Sequence, residues 1–106
     1  MDFAFYRNFI TVAETGNLSA AAKRLGIVQP ALSAQMKAIE RNYGVQLFKM
    51  QRGKRHIELT EAGETFLQQA RQLCNTEDDI SLRMQAFGRR AAGTLRFSVS
   101  HVRTDY

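Results

Sequence analysis

The chain has 106 residues, 44% of them hydrophobic and 24% charged, with a formal charge of +5; this is the composition of a folded globular protein, not of a disordered tail. Its length allows one small domain with an appendage and excludes a large α/β enzyme with a deep substrate cleft. There is no run of about 18 apolar residues to span a membrane, no basic-then-apolar secretion signal, and only the lone Cys74, so neither a disulfide framework nor a Cys-based zinc site is expected and a reducing, cytoplasmic setting is.

Phe3, Tyr6, Phe9, Ile10 and Ala13 recur at helical spacing and predict a first helix over 3–14 with one apolar face. Gly16 and Asn17 end it. Ser19 is a good N-cap for a short alanine-rich helix running to Leu25, which Gly26 stops. Ala20, Ala21 and Ala22 are small enough to let another helix approach closely. After Ile27 and Val28, Gln29-Pro30 fits the first turn of a third helix, where the N–H that proline lacks would have no helical partner anyway. Leu32, Met36, Ile39 and Tyr43 form its inner stripe, and Gly44 ends it. Two short helices joined at Gly26, with a supporting helix before them, make a helix-turn-helix arrangement. The second helix of the pair shows Gln29, Ser33, Ala34, Lys37 and Arg41 to water. Amides, hydroxyls and cations at that place can reach base edges and phosphates in a major groove. The spacing alone also fits a small helical bundle with a polar outer face.

The segment from Leu47 to Thr60 predicts a hairpin. Ile57 and Leu59 alternate with Glu58, Leu47 and Phe48 begin the opposite arm, and Gly53 sits at the tip between Arg52 and Lys54-Arg55. A basic loop beside a helix-turn-helix is a wing, able to lie along phosphates or to enter the narrow minor groove; in isolation it is a solvated charge run. Thr60 is expected to cap a long helix over 61–90, with Glu61 and Glu64 at its positive end. Gly63 occupies the position where a capping box would place Glu or Gln.

In that helix, Phe66, Ala70, Leu73, Glu77, Ile80, Met84 and Phe87 alternate in steps of four and three, a period of about 3.5. So long a helix cannot bury the whole stripe on residues 1–60. A second copy of the chain is the expected partner, meeting Phe66, Ala70, Leu73, Ile80, Met84 and Phe87, with Glu77 setting register. The alternative is packing on a continuation of the same chain. Ala91-Ala92-Gly93 ends the helix, and Thr94 to Ser100 alternates like a strand. A lone strand is not stable by itself, so it is expected to open a second, truncated domain.

The expected fold is therefore mainly α: a winged helix-turn-helix of three helices and a two-stranded wing over 1–60, a linker and dimerisation helix over 61–90, and a hinge with a first strand over 91–106. Charge follows this division. Residues 1–60 hold nine basic groups against four acidic ones, whereas residues 61–106 hold six of each. The whole excess lies on the first part, which points to a polyanionic partner there.

These residues resemble the N-terminal part of the LysR-type transcriptional regulators. The resemblance is carried by Phe9-Ile10-Thr11-Val12-Ala13-Glu14-Thr15-Gly16, Ala21-Ala22-Lys23-Arg24-Leu25, Gln29-Pro30-Ala31-Leu32-Ser33, Ile39-Glu40, Gly44-Val45-Gln46-Leu47-Phe48, Leu59-Thr60-Glu61-Ala62-Gly63-Glu64 and Gly93-Thr94-Leu95-Arg96. No one piece is specific; their order and spacing together are. The resemblance implies a winged helix-turn-helix on a linker helix, antiparallel pairing of linker helices, tetramers in full-length members, and binding to roughly palindromic promoter sites. It also implies a small-molecule inducer held by a C-terminal domain that this chain lacks. Gln29, Pro30 and Ser33 resemble the family's contacts at the start of the recognition helix, and Arg52, Lys54 and Arg55 match its basic wing.

Three positions depart from that pattern. Val28 stands where the family often has Ser or Thr, removing a hydroxyl cap of a kind that contributes about 0.5–2 kcal/mol. Ala34 stands where many members carry Arg, so that position reads no guanine. Met50 replaces a common wing Arg, and the wing is slightly longer than usual. Base reading is therefore expected to lean on Gln29, Ser33, Gln35, Lys37 and the wing tip.

Two other functions compete. A protein-interaction module would use the 61–90 helix alone, but has no reason to gather the basic excess on 1–60. An enzyme would need a constellation that is missing: His56 lies in the basic loop, His101 in the tail, and neither stands beside a nucleophile and a carboxylate. Glu77-Asp78-Asp79 resembles no metal loop, and Cys74 is expected to be a small buried hydrophobe. No catalytic residue, metal or cofactor is expected, and the partners are duplex promoter DNA and a second copy of the chain.

Overall fold

The protein is described from a computed structural model covering residues 1–49 and 56–90. The elements run α1 (Ala4–Thr15), α2 (Leu18–Leu25), α3 (Gln29–Tyr43), β1 (Phe48–Lys49), β2 (Glu58–Leu59) and α4 (Glu61–Arg90). Three helices, a two-stranded wing and a long helix thus follow in the expected order. The wing-tip residues Arg52, Lys54 and Arg55, and the hinge and strand expected over 91–106, lie outside the described residues.

The core is made where the three short helices and β1 meet. Phe9 and Val12 of α1, Ala21 and Ala22 of α2, Leu32, Met36 and Ile39 of α3, and Leu47 and Phe48 are all buried. Burying a side chain the size of Phe, Leu or Ile contributes roughly 1.5–3 kcal/mol, so Phe9, Leu32 and Ile39 dominate. Ala21 and Ala22 keep α2 thin enough to lie against its neighbours, as their size requires. Val12, absent from the expected α1 stripe, is fully buried, while Phe3 only precedes the helix.

Two local expectations are corrected. The cap of α2 is Asn17, not Ser19. Asn17 has extended backbone, and its side-chain oxygen accepts from the Ala20 N–H at 2.8 Å, leaving Ser19 inside the helix. Tyr43 is not an inner residue: it is 47% exposed, because the last turn of α3 runs past the core. Its ring instead packs edge-on against Phe66, and its hydroxyl lies 2.6 Å from that of Tyr6.

The wing begins as a short antiparallel ladder pairing Phe48 with Leu59 and Lys49 with Glu58. Ile57 leaves this ladder. Its N–H donates to the Gly16 carbonyl at 2.8 Å, so the returning arm is pinned to the turn between α1 and α2. Thr60 caps α4 as expected, accepting from the Gly63 N–H at 3.0 Å, and its hydroxyl donates to the Gln46 carbonyl at 2.7 Å. The structure also explains the missing capping-box residue. A Cβ at Gly63 would collide with the Leu47 carbonyl oxygen and press on Leu59, so only glycine lets α4 start this close to the wing.

Residues Met1–Gln72 form one compact unit, and a second begins at Leu73. The first turns of α4 belong to the first unit. There Phe66 packs T-shaped on Phe9 with ring centres 4.7 Å apart and also touches Tyr6, and Ala70 is buried. In the second unit Leu73, Ile80, Met84 and Phe87 are 42–57% exposed, and Arg83 pairs with Asp79 one turn earlier. The expected stripe is therefore divided: its first two residues pack on the chain's own domain, its later apolar residues face outward. Cys74 is buried, as expected of a small hydrophobe.

The hydrogen bond to Tyr43, with burial second, pushes the Tyr6 phenol from 10.0 up to about 12. The folded value exceeds the unfolded one, so this contribution to stability is whole below pH 10.0 and is lost as pH rises through about 12. In an alkaline absorbance titration one tyrosine should ionise near 12, and Tyr43→Phe should return it toward 10.0. An unchanged titration in Tyr43→Phe would remove that bond as the cause.

Candidate nucleic-acid interface

The turn between α2 and α3 holds only Gly26, Ile27 and Val28. Gly26 takes a left-handed conformation at φ 72°, which costs a residue without Cβ little. The Ile27 N–H then reaches back to the Ala22 carbonyl at 3.0 Å, closing the end of α2. This places α3 at a set angle with its N-terminus free of any side-chain cap: Val28 stands at the capping position, 69% exposed and making no cap bond.

Leu32, Met36 and Ile39 turn inward, so the opposite side of α3 faces out. Pro30, Ala34, Lys37 and Arg41 are exposed, and Ser33 is half-buried. Gln29, Ser33 and Lys37 follow at four-residue steps and share one edge of the helix. That edge presents an amide, a hydroxyl and a cation in succession. Gln29 is held at its start, because the Ser19 hydroxyl donates to the Gln29 carboxamide oxygen at 2.7 Å. Gln35 is placed differently from the other four residues singled out on α3. It is half-buried on the α1 side, and its carboxamide oxygen accepts from the Asn8 side chain at 2.7 Å.

Glu40 is the functional residue that composition and spacing overlook. One of its carboxylate oxygens accepts from the N–H groups of Leu47 and Phe48, at 2.8 and 3.3 Å. An acidic side chain on a helix that otherwise shows cations thus fastens the wing to α3. His56 stands at the foot of the wing with its imidazole over Gly16, where a Cβ would come within 2.7 Å of Cε1. A cavity of about 110 Å³ lies between α3 and the wing base, floored by Val12, Leu18, Met36, Phe48 and Ile57. Sites for larger organic ligands start at about 300 Å³. Among the described residues no three His, Cys, Asp or Glu side chains gather as a metal site, and no helix is long and apolar enough to cross a membrane.

A helix-turn-helix whose second helix turns a polar edge outward, with a wing fastened to that same helix, defines a winged helix-turn-helix domain. Comparison with known proteins agrees. Residues 4–64 match the family described as bacterial regulatory helix-turn-helix protein, lysR family, and the chain belongs to that family. It is 46% identical over 96 residues to the HTH-type transcriptional regulator ClcR of Pseudomonas putida, covering 91% of this chain and 32% of that protein. It is 43% identical over 95 residues to the regulator TcbR of Pseudomonas sp. strain P51, covering 90% and 32%. The chain thus spans about a third of the length of these curated relatives. Among solved structures it is similar to the CbnR DBD–DNA complex, with a TM-score of 0.78, 43% identity and coverage of 84% of this chain and all of that one. The BenM DBD complex with benA site 1 DNA aligns at a TM-score of 0.76 and 32% identity, over 82% of this chain and 99% of that one. The chain is a DNA-binding domain of a LysR-type transcription regulator and not an enzyme.

The Glu40 anchor has a measurable consequence. Removing its carboxylate strands two N–H groups in a buried place, which costs roughly 1–3 kcal/mol. Glu40→Ala should lower the urea midpoint accordingly, and Glu40→Gln, which keeps an acceptor, should recover most of the loss. Equal stability of Glu40→Ala and the parent would show that the wing is held by packing alone.

Proposed function

We propose that this chain reads duplex promoter DNA sequence-specifically as a homodimer, with α3 in the major groove and the wing on the flanking backbone. The outward edge of α3 carries the reading: Gln29 and Ser33 are placed for base edges, Pro30 for close approach, and Lys37 for a phosphate or a base acceptor. Arg52, Lys54 and Arg55 supply phosphate or minor-groove contacts from the wing. Gln35 we assign to holding α3 against α1, because its carboxamide is engaged with Asn8. The DNA complexes of CbnR and BenM support this reading by fold and by identity above 30%.

The dimer is proposed to form through Leu73, Ile80, Met84 and Phe87, the exposed length of the stripe on α4. Phe66 and Ala70 are left out of that seam, since they pack within Met1–Gln72. Exposed apolar side chains repeating every 3.5 residues or so are what a paired helix covers. We further propose the division into a reading domain over 1–60, a linker helix over 61–90 and a hinge over 91–106. On this reading the whole regulator works in the cytoplasm, and a small-molecule inducer acts through an effector-binding domain joined at that hinge.

Selection of bound sequences from a random duplex pool tests the reading. Enrichment of an inverted repeat is expected; a pool that stays random would overturn it. Lys54→Ala or Arg55→Ala should weaken binding to all duplexes alike and flatten the salt dependence by roughly one unit of slope per lost phosphate contact. Affinity measured across salt concentrations checks this, and an unaltered slope would take the wing off the phosphate. For the seam, Leu73→Asp should give monomers in sedimentation; a persisting dimer would mean that the stripe on α4 is not the interface.

A further inference from the structure

Tyr6 of α1 and Tyr43 at the end of α3 stand 37 residues apart in the chain, yet their hydroxyl oxygens lie 2.6 Å from each other. Both rings rest on Phe66 of α4. Tyr6 stacks on it with ring centres 5.8 Å apart, and Tyr43 meets it edge-on at 5.6 Å. The Tyr6 ring also touches Phe3. The two phenols are therefore held by packing as well as by their hydroxyls, and the contact is the same whichever of them donates. The site is open to solvent: Tyr43 is 47% exposed and Tyr6 half-buried. The chain has no tryptophan, and its one thiol, Cys74, is buried. An oxidant that withdraws single electrons at this surface thus meets phenols first.

We propose that Tyr6 and Tyr43 form a modification site, at which oxidation joins α1 to α3 through a dityrosine bond. The co-reactant is a one-electron oxidant of the haem peroxidase type, supplied with hydrogen peroxide. Each phenol gives up one electron and one proton. The two radicals couple through the ring carbons next to their hydroxyls, forming one carbon–carbon bond. The hydrogens on those carbons move to the oxygens, which restores both phenols, and the peroxide is reduced to two waters. In the product the hydroxyls sit side by side across the new bond, within hydrogen-bonding reach of each other. The folded chain already brings them to that contact. The bond closes a covalent loop and so removes freedom from the unfolded chain. None of this depends on α3 being the groove helix.

The test is treatment of the full chain and its Tyr6→Phe, Tyr43→Phe and Tyr106→Phe variants with a haem peroxidase and hydrogen peroxide. Dityrosine fluorescence and mass spectrometry of the tryptic peptides are the readouts. The parent and Tyr106→Phe should give a single chain lighter by two hydrogens, with peptide Met1–Arg7 joined to Asn42–Lys49. The yield per chain should not change on dilution, and the linked chain should have the higher urea midpoint. Tyr6→Phe and Tyr43→Phe should each lose this product.

Four results would overturn the inference. One is no link in the parent while free tyrosine added to the same mixture is coupled. Another is a link that runs through Tyr106 or between two chains, its yield falling on dilution. A third is a product that persists in Tyr6→Phe or Tyr43→Phe. The last is a linked chain no more stable than the parent, which would mean that the bond does not join the helices as they stand in the fold.

Discussion

The backbone of Leu47 ties α3, the wing and the start of α4 to one another. Its N–H is taken by the Glu40 carboxylate from α3, and its carbonyl accepts from the Thr60 N–H at the end of the wing. Its oxygen also stands where a side chain at position 63, in the first turn of α4, would collide, so that position carries glycine. The Leu47 side chain meanwhile is buried in the core. One residue thus sets the spacing of α3, the wing and α4. Buried polar groups without partners are costly, so these elements cannot drift apart without leaving several such groups bare. If α3 and the wing meet a duplex together, as proposed, a fixed distance between them is the mechanical requirement.

The same economy governs the polar side chains around α3. Three that look equally available in the sequence have different duties. Ser19 is hydrogen-bonded to Gln29, Asn8 engages Gln35, and Glu40 fastens the wing. What remains exposed on α3 is uncharged apart from Lys37 and Arg41. With Ala34 in the centre of that face, the proposed reading rests on a short edge of polar groups and not on one long cation. Positioning of those groups by their neighbours therefore matters more here than their number.

The long helix shows a similar division. Phe66 is enclosed by Phe9, Tyr6 and Tyr43, so the start of α4 is part of the domain's own packing. Beyond Gln72 the stripe continues with its apolar side chains exposed. One continuous pattern thus serves an intramolecular core at one end and carries exposed apolar side chains at the other.

Much of this was legible in the sequence. Helix order, the glycine stops at Gly16, Gly26 and Gly44, the Thr60 cap, the inward faces of Leu32, Met36 and Ile39, and the concentration of charge on 1–60 all follow from local propensity and period, which act within a few residues. Tyr43 and Ser19 were misplaced for opposite reasons: Tyr43 because a helix can outrun its core, Ser19 because Asn17, two residues earlier, can also cap and only backbone geometry chooses between them. The partners of Glu40, Gln35 and Gln29, and the point where the α4 stripe leaves the domain, were decided only by tertiary structure. Spacing along a helix records which side chains share a face; what comes to meet that face is set by packing between elements far apart in the chain.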